Sequence, residues 1–289
     1  MSISNPDRRG QPENATGAQL EDAGLSSAEN EEATRRVRGV IEGRGLDAAF
    51  QPVVELETGS VAGYEALARF SAEPQRGPLQ WFAEADQVGL GLDLEIAAIS
   101  TAISRATRGE DHGEPLGGTM LGVNASPRAV VSGRLLAAVE AHAPQIPIVV
   151  EVTEHAEIED YEAFQSAFSE LRARGVKLAV DDVGAGYASL RHILQLGPES
   201  IKLDISLTRG IEGDRRKRAL AAALISFAKE TEAVIVAEGI ESREELDALV
   251  SLGAEYGQGY YLARPGPLGR HGTPPRVATE APPLRSEAS

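Results

Sequence analysis

The sequence contains no cysteine among its 289 residues, so disulfide bonds, thiolate metal sites and cysteine nucleophiles are all excluded. It also lacks any apolar run of the roughly 20 residues that a helix needs to cross a bilayer. The N-terminal stretch MSISNPDRRGQPENATG is polar and has no apolar core of a signal peptide. From these absences we expect a cytoplasmic protein that has no membrane partner.

Basic residues are scarce, because 28 Lys and Arg stand against 44 Asp and Glu, and the formal net charge is −16. Proteins that bind nucleic acid polymers are more often basic, since they contact a chain of phosphates. We therefore expect no nucleic acid polymer as a partner. An anionic small ligand would need cations in its own binding site.

The two ends of the sequence differ in composition from its middle. Residues 1–30 are poor in aliphatic side chains, and residues 266–289 are rich in proline. Segments of this kind bury too little apolar surface to fold. We predict a disordered acidic tail at 1–30, an ordered domain at 31–265 and a disordered Pro-rich tail at 266–289. The middle segment is long enough for a single α/β barrel.

Short apolar runs typical of strands alternate with longer helix-like runs along this domain. The first two, AAFQPVVEL and SVAGYEALARF, are joined by a link too short for a crossover helix, which predicts an antiparallel hairpin. Six more predicted strands follow: TMLGVNA, PIVVEVT, VKLAVDD, SIKLDIS, AVIVAEG and EYGQGYYL. Helices are predicted at PLQWFAEADQVG and LDLEIAAISTAISRA, and near 127–142, 160–174, 187–196, 214–231 and 242–252, the last two with Asp214 and Ser242 as N-caps.

This alternation predicts an α/β fold, a TIM-like (β/α)8 barrel whose first strand is antiparallel. A doubly wound open sheet is the alternative. The sequence carries neither a phosphate-loop lysine motif nor a G-x-G-x-x-G fingerprint that would favour the open sheet.

Polar residues follow the apolar run of nearly every predicted strand. They are Glu65, Asn124, Glu151, Asp181, Asp182, Lys202, Asp204, Glu238 and Gln258. The active sites of such barrels lie at the C-terminal ends of the strands. Carboxylate and amide oxygens favour Mg²⁺, Mn²⁺ or Ca²⁺. Because so many carboxylates would repel one another, we expect two divalent cations among them, in a centre that cleaves a phosphodiester.

Two local patterns refine this expectation. In GYEALARF, Glu65, Leu67 and Arg69 share one face of the strand, but Arg69 lies about 13 Å beyond Glu65, too far for an ion pair. We expect Arg69 to contact another part of the substrate. Asp181 and Asp182 are adjacent and would point to opposite faces of a regular strand. Both reach one site only if the chain leaves the strand there, at a turn that Gly184 and Gly186 permit.

The strand GYEALARF resembles the signature strand of the EAL-domain cyclic-di-GMP phosphodiesterases, which are named for the residues at Glu65, Ala66 and Leu67 here. Further blocks resemble the same family in the same order: FQPVVELETG, VNASP, EVTE, DDVGAGYASL, IKLD, VAEGIES and GQGYYLARP. The resemblance covers about 45–265. It implies hydrolysis of cyclic di-GMP to the linear dinucleotide pGpG, with Mg²⁺ or Mn²⁺ as the two ions.

The resemblance also implies a role for each matching residue. The ligands of the first metal would be Glu65, Asn124, Glu151 and Asp181, with Asp181 bridging to a second metal completed by Asp182 and Glu238. The catalytic residues would be Glu65, Lys202, which holds the attacking water, and Glu238, which has been considered as its base. Substrate-binding positions would be Gln51, Leu67, Arg69, Asp204, Glu241 and Gln258.

Glu154 resembles a glutamate that steadies the loop after the fifth strand, here 182–190. In the family this loop lies at a dimer interface, so we expect a homodimer. The chain departs from the family at Val183 and Ala185, where Phe and Thr are common. The missing Thr hydroxyl removes one hydrogen bond worth about 0.5–1.5 kcal/mol.

Two other functions remain open from the sequence. One is a catalytically silent receptor for cyclic di-GMP or a protein-interaction module. The other is a metal-dependent barrel enzyme that acts on a different phosphodiester or a sugar phosphate, because the sequence defines the metal ligands better than the base specificity.

Overall fold

The computed structural model describes residues 26–108, 119–142, 146–184 and 190–268. Eight strands close into one barrel in chain order: β1 Leu46–Glu55, β2 Val61–Phe70, β3 Met120–Asn124, β4 Ile148–Thr153, β5 Lys177–Val183, β6 Ser200–Leu203, β7 Val234–Ala237 and β8 Tyr256–Gly257. β1 is antiparallel to both of its neighbours, β2 and β8. The remaining pairs are parallel. The predicted barrel with an antiparallel first strand is therefore confirmed.

The helices surround this barrel. They are α1 Ser27–Ile41, α2 Pro78–Gln87, α3 Gly91–Arg108, α4 Pro127–Val131, α5 Arg134–Ala141, α6 Tyr161–Arg172, α7 Leu190–Leu196, α8 Ile205–Thr208, α9 Arg215–Glu230 and α10 Arg243–Leu252. Both predicted N-caps are present, since Asp214 caps α9 and Ser242 forms a capping box with Glu245. Within the described residues, no helix combines the length and apolar character needed to cross a membrane.

Two predicted elements differ from the structure. The helix expected near 127–142 is divided into α4 and α5, because Gly133 adopts a left-handed conformation with φ of 70°. The strand expected over SIKLDIS ends at Leu203. Its next residue, Asp204, accepts a hydrogen bond from the backbone N–H of Ser206 and so caps the short helix α8. The start of the helix expected at 187–196 lies partly outside the described residues.

The ordered chain extends past both predicted boundaries. α1 begins at Ser27, within the segment predicted as a tail, because Ser26 and Glu29 form a capping box. At the other end, Gly266 pairs with Phe50 across a β-bridge, and Leu268 is buried. The remaining parts of the two predicted tails, 1–25 and 269–289, lie outside the described residues.

The apolar core lies between the barrel wall and the helices. Alternate strand residues, such as Leu121, Val150 and Ile201, face outward and are fully buried in this layer. Their neighbours along each strand face the barrel axis. A second, smaller cluster joins α1 to α2 and α3 through Val37 and Trp81. The core therefore fixes which strand residues point into the barrel, and the acidic side chains are among these.

Candidate active site

Carboxylates from three strands and one loop meet at the C-terminal end of the barrel. Glu65 of β2, Glu151 of β4 and Asp181 of β5 each place an oxygen within 4.8 Å of the others. Asp181, Asp182 and Glu238 form a second group by the same measure. Asp181 belongs to both groups. The structure thus gathers five of the acidic residues that the sequence singled out into two adjoining clusters.

A bulge in β5 lets neighbouring residues serve one site. The pairing of β5 with β6 shifts register between Val180 and Val183, and Asp182 adopts φ of 60°. Both aspartates belong to one acidic group, but the chain does not leave the strand at Asp182 as expected, because β5 continues to Val183. Gly184 follows with φ of 104°. Gly186 lies outside the described residues.

Lys202 of β6 lies among these carboxylates. Its ammonium nitrogen is 2.6 Å from Glu151, 2.8 Å from Glu238, 3.2 Å from Asp181 and 3.4 Å from Glu65. Burial alone would lower the pKa of Lys202, but the four carboxylates outweigh burial and raise it well above its usual value. Lys202 is therefore a charged ammonium group, although only 2% of it is exposed.

One ammonium does not neutralise the cluster, as the pKa values of the carboxylates indicate. Burial, together with the charges of Asp181 and Glu65, raises the pKa of Glu238 to about 8 despite Lys202. Burial and the same two neighbours raise the pKa of Glu151 well above its ordinary value. Glu65 differs, because Lys202 and hydrogen bonds from two amides outweigh its burial and lower its pKa. The cluster has a deficit of positive charge.

Amide side chains orient Glu65. Asn124 donates its amide N–H to one carboxylate oxygen at 3.0 Å, and this bond leaves the amide oxygen of Asn124 available as a ligand. Gln258 donates to the other carboxylate oxygen at 2.7 Å and to Gln51 at 3.0 Å. Gln51 in turn donates to the carbonyl of Ala263. The structure thus places both predicted substrate-binding glutamines directly beside a candidate metal ligand.

The predicted substrate-binding residues divide between two cavities. A cavity of about 380 Å³ above the carboxylates is lined by Gln51, Asp204, Glu241 and Gln258, together with Tyr260. Glu241 pairs there with Arg209. Leu67 and Arg69 instead line a neighbouring groove of about 320 Å³, which Asn124 also borders. The structure therefore separates Arg69 from the main carboxylate cavity.

Glu154 contacts the segment that the sequence assigned to it. Its carboxylate accepts a hydrogen bond from the backbone N–H of Gly184 at 2.9 Å. It is 5% exposed at the end of β4. This bond ties the residue just after β5 to the preceding strand. Residues 185–189 lie outside the described part of the chain.

Sequence reasoning missed Glu95 of α3. Its carboxylate accepts hydrogen bonds from the backbone N–H and the hydroxyl of Ser126, at 2.5 and 2.8 Å. Burial raises the pKa of Glu95. It borders both the Arg69 groove and a third groove of about 730 Å³ that reaches Asn124 and Glu151. An acid next to the apolar run IAAIS of α3 was the available signal.

Comparison with known proteins identifies the family. The sequence profile described as EAL domain matches residues 34–265. Probable cyclic di-GMP phosphodiesterase PdeI of Escherichia coli (strain K12) is 28% identical over 257 residues, which cover 86% of this chain and 32% of PdeI. Cyclic di-GMP phosphodiesterase RocR of Pseudomonas aeruginosa is 30% identical and covers 80% of this chain and 60% of RocR. The chain spans about a third of the length of the first curated relatives it matches.

A solved structure agrees with this match. The manganese/cy-diGMP complex of Klebsiella pneumoniae BlrP1 aligns with a TM-score of 0.66 and 30% identity, over 78% of this chain and 57% of BlrP1. Its description names both a divalent metal and the dinucleotide. The profile match extends over the whole barrel, from α1 to the segment after β8. The chain belongs to the EAL domain family.

Proposed function

We propose that this chain is a phosphodiesterase that uses two divalent cations to hydrolyse cyclic di-GMP to linear pGpG, and so lowers the level of this second messenger. The observation that carries the proposal is the position of Asp181, whose carboxylate belongs to both acidic groups. A carboxylate shared between two oxygen-rich groups suits a pair of metal ions held close together. The names of the relatives support the choice of substrate.

The donor set fits Mg²⁺ or Mn²⁺. The first ion would be held by Glu65, Asn124, Glu151 and Asp181, and the second by Asp181, Asp182 and Glu238. All of these donors are oxygen atoms, and neither acidic group found in the described residues includes histidine, which disfavours zinc. When bound, the cations would supply the missing positive charge, lower the pKa of coordinated water and stabilise the phosphodiester in its transition state.

The side chains of the protein then have distinct tasks. In the proposed reaction, a water oxygen bonds to phosphorus, one P–O3′ bond breaks, and the departing 3′ oxygen takes up a proton. We assign Lys202 to hold the attacking water and Glu238 to accept its proton, since the ammonium and the carboxylate lie 2.8 Å apart within the cluster. Glu65 is a ligand whose orientation depends on Asn124 and Gln258.

The cavities around the cluster suit a substrate larger than a single nucleotide. We assign Gln51, Gln258, Asp204 and Glu241 to the part of the substrate in the central cavity. Leu67 and Arg69 would contact the part in the neighbouring groove, where the guanidinium of Arg69 supplies positive charge for a phosphate. In this proposal, recognition of guanine and phosphate is assigned to the residues of these two cavities alone.

Two further statements belong to the same proposal. Two copies of the chain would associate through the segment after β5, which Glu154 helps to hold. The protein would act in the cytoplasm, which fits the absence of cysteine. Both statements are independent of the metal assignment.

The decisive experiment is to incubate the purified protein with cyclic di-GMP and Mn²⁺ and to separate the products. We expect pGpG to form, EDTA to abolish turnover, and Mg²⁺ or Mn²⁺ to restore it. Ca²⁺ should inhibit, because its larger and looser coordination suits a two-metal centre poorly. Glu65→Ala should abolish turnover with the fold retained, and Glu57→Ala, at an exposed turn, should leave the rate unchanged.

Three results would contradict the proposal. Failure to form pGpG at enzyme concentrations near that of the substrate would refute hydrolysis, and tight binding without turnover would favour a silent receptor. Equal rates with cyclic di-AMP or simple diesters would favour a phosphodiesterase of other specificity. An unchanged rate in Glu65→Ala would refute the metal assignment.

A further inference from the structure

The barrel contains a second cavity at the end opposite to the substrate cavity. It has a volume of about 270 Å³ and lies inside the barrel, among the first residues of the parallel strands. Its inner end is formed by Glu151 and Lys202, which are also members of the carboxylate cluster. Its outer rim carries the exposed residues Lys177 and Glu232. We refer to this cavity as the lower lumen.

The lower lumen exists because small residues occupy inward-facing positions. The interior of such a barrel is usually filled by layers of bulky branched side chains. Here Gly63, Gly122 and Ser200 take some of these positions, beside valines such as Val149 and Val234. A Cβ atom on Gly122 would overlap with Oε1 of Glu151, and one on Gly63 would lie 3.0 Å from the carbonyl oxygen of Met120. A larger residue at Gly122 would therefore displace the active-site carboxylate itself.

The chemistry of its two ends determines what the lumen holds. Glu151 and Lys202 are polar groups with 5% and 2% exposure, and an apolar occupant would offer them no hydrogen bonds. Cavities that are roomy and have polar partners hold ordered water, whereas empty cavities are apolar on all sides. The rim residues Lys177 and Glu232 are exposed, so water can enter from solvent.

We propose that the lower lumen is a water-filled passage from the N-terminal mouth of the barrel to the Lys202–Glu151 pair. Through it, water and protons exchange with the floor of the carboxylate cluster while a bound dinucleotide covers the C-terminal mouth. The exchange of water during turnover rests on the proposed function, because each hydrolysis consumes one water molecule. The presence of water in the lumen does not depend on that function.

The first test is a crystal structure of the metal-free protein at high resolution, solved with and without xenon pressure. Xenon binds in dry apolar cavities. We expect a chain of ordered water molecules from Ser200 to Lys202 and no xenon in the lumen. A lumen without water that takes up xenon would overturn the proposal. This result is independent of whether the protein hydrolyses cyclic di-GMP.

The second test fills the passage. Ser200 lies two residues before Lys202 on the same face of β6, so Ser200→Leu projects a larger side chain into the lumen. Ser200→Ala is the matched control, because it leaves the lumen open. We expect kcat to fall at least about fivefold in Ser200→Leu with KM unchanged, and both constants to stay at the wild-type values in Ser200→Ala. Ordered water should be lost only from Ser200→Leu.

The kinetics of Ser200→Leu test the water passage, and hydrolysis by the wild type tests the proposed phosphodiesterase function. Equal kcat values in Ser200→Leu and wild type, with the lumen filled in the crystal structure of the variant, would overturn the passage but leave the phosphodiesterase assignment intact. If Ser200→Leu fails to fold, Val234→Phe fills the same lumen from β7 and takes its place. Absence of hydrolysis in the wild type would refute the proposed function, while the crystal experiment would still decide whether the lumen holds water.

Discussion

Asp181 is the residue on which both acidic groups depend. Its carboxylate lies within 4.8 Å of ligand atoms from Glu65 and Glu151 on one side and from Asp182 and Glu238 on the other. Asp181→Asn removes one negative charge from both groups at once. We expect kcat to fall by on the order of 10²-fold or more, the range seen when one charge-stabilising group of an active site is lost.

The measurement for Asp181→Asn is the stoichiometry of Mn²⁺ binding by calorimetry, together with kcat. We expect weaker binding at both sites, whereas Asp182→Asn should weaken one site more than the other. Asp93→Asn, in a surface ion pair with Arg134, is the control and should bind Mn²⁺ as the wild type does. Full retention of two tight sites in Asp181→Asn would contradict the shared ligand.

Lys202 makes the metal-free cluster stable by pairing with four carboxylates. Lys202→Met removes this charge and leaves buried acids without a partner, a change that typically costs about 3–5 kcal/mol. We expect a lower Tm without metal and a larger gain in Tm on addition of Mn²⁺ than in the wild type. Lys229→Met, on the exposed end of α9, is the control. If Mn²⁺ raises the Tm of the wild type, Lys202→Met and Lys229→Met by the same amount, this would argue against cation binding in this cluster.

That acids and amides at the strand ends lie close together could be predicted from the sequence, because these ends converge in a closed barrel. Their partners could not. The amide contacts of Gln258 with Glu65 and Gln51 join residues about two hundred positions apart. Glu95 was missed for the same physical reason. Its position beside the grooves is held by hydrogen bonds from Ser126, which α3 meets only in the folded chain.

At the scale of elements, several local signals gave correct predictions. The β1–β2 hairpin and the caps at Asp214 and Ser242 are examples. The bulge in β5 and the short helix α8 were missed. The bulge depends on how β5 pairs with β6, which a sequence pattern does not reveal, and α8 depends on Asp204 acting as a cap where the sequence pattern favoured a longer strand.

Gly239 follows Glu238 and sets the path of the loop after β7. Its φ is 66°, and a Cβ atom at this position would overlap with the side chain of Ile205. Gly239→Ala therefore combines left-handed strain, about 1–2 kcal/mol, with a steric clash. We expect a loss of stability of more than about 2 kcal/mol and lower kcat, because Glu238 is displaced.

Gly210 offers a matched control for this prediction. Its φ is 68°, but nothing lies within 4 Å of a Cβ built there. Gly210→Ala should lose only the strain contribution and keep its kcat. Urea unfolding and steady-state kinetics measure the two effects. Equal losses in the two variants would mean that Ile205 moves aside and that the loop is not restrained by this contact.

At the scale of the whole molecule, the fold class was predictable because the alternation of elements and one short hairpin link define a barrel with an antiparallel first strand. The two boundaries of the ordered domain were harder to predict. Composition placed the boundary at 30, but the Ser26–Glu29 capping box and the buried face of α1 extend the ordered chain to Ser27. Short polar sequences become ordered when a cap and a few buried contacts coincide, and composition does not report either.

The proposed homodimer depends on a surface that follows β5 in the chain. α7 begins there, and its side chains Leu190 and Leu194 are 52% and 62% exposed, one helical turn apart. Two large apolar side chains exposed together suit contact with a second copy of the chain. Leu194→Asp places a charge in that contact, and the desolvation cost should dissociate the dimer.

Light scattering after size-exclusion chromatography measures this prediction directly. We expect the mass of a dimer for the wild type and of a monomer for Leu194→Asp at the same concentration. Leu220→Asp is the control, because Leu220 is 48% exposed on α9 and lies outside the proposed contact, so this variant should remain dimeric. If the loop after β5 couples association to catalysis, kcat should fall in Leu194→Asp alone. A monomeric wild type, or a dimeric Leu194→Asp, would show that α7 is not the interface.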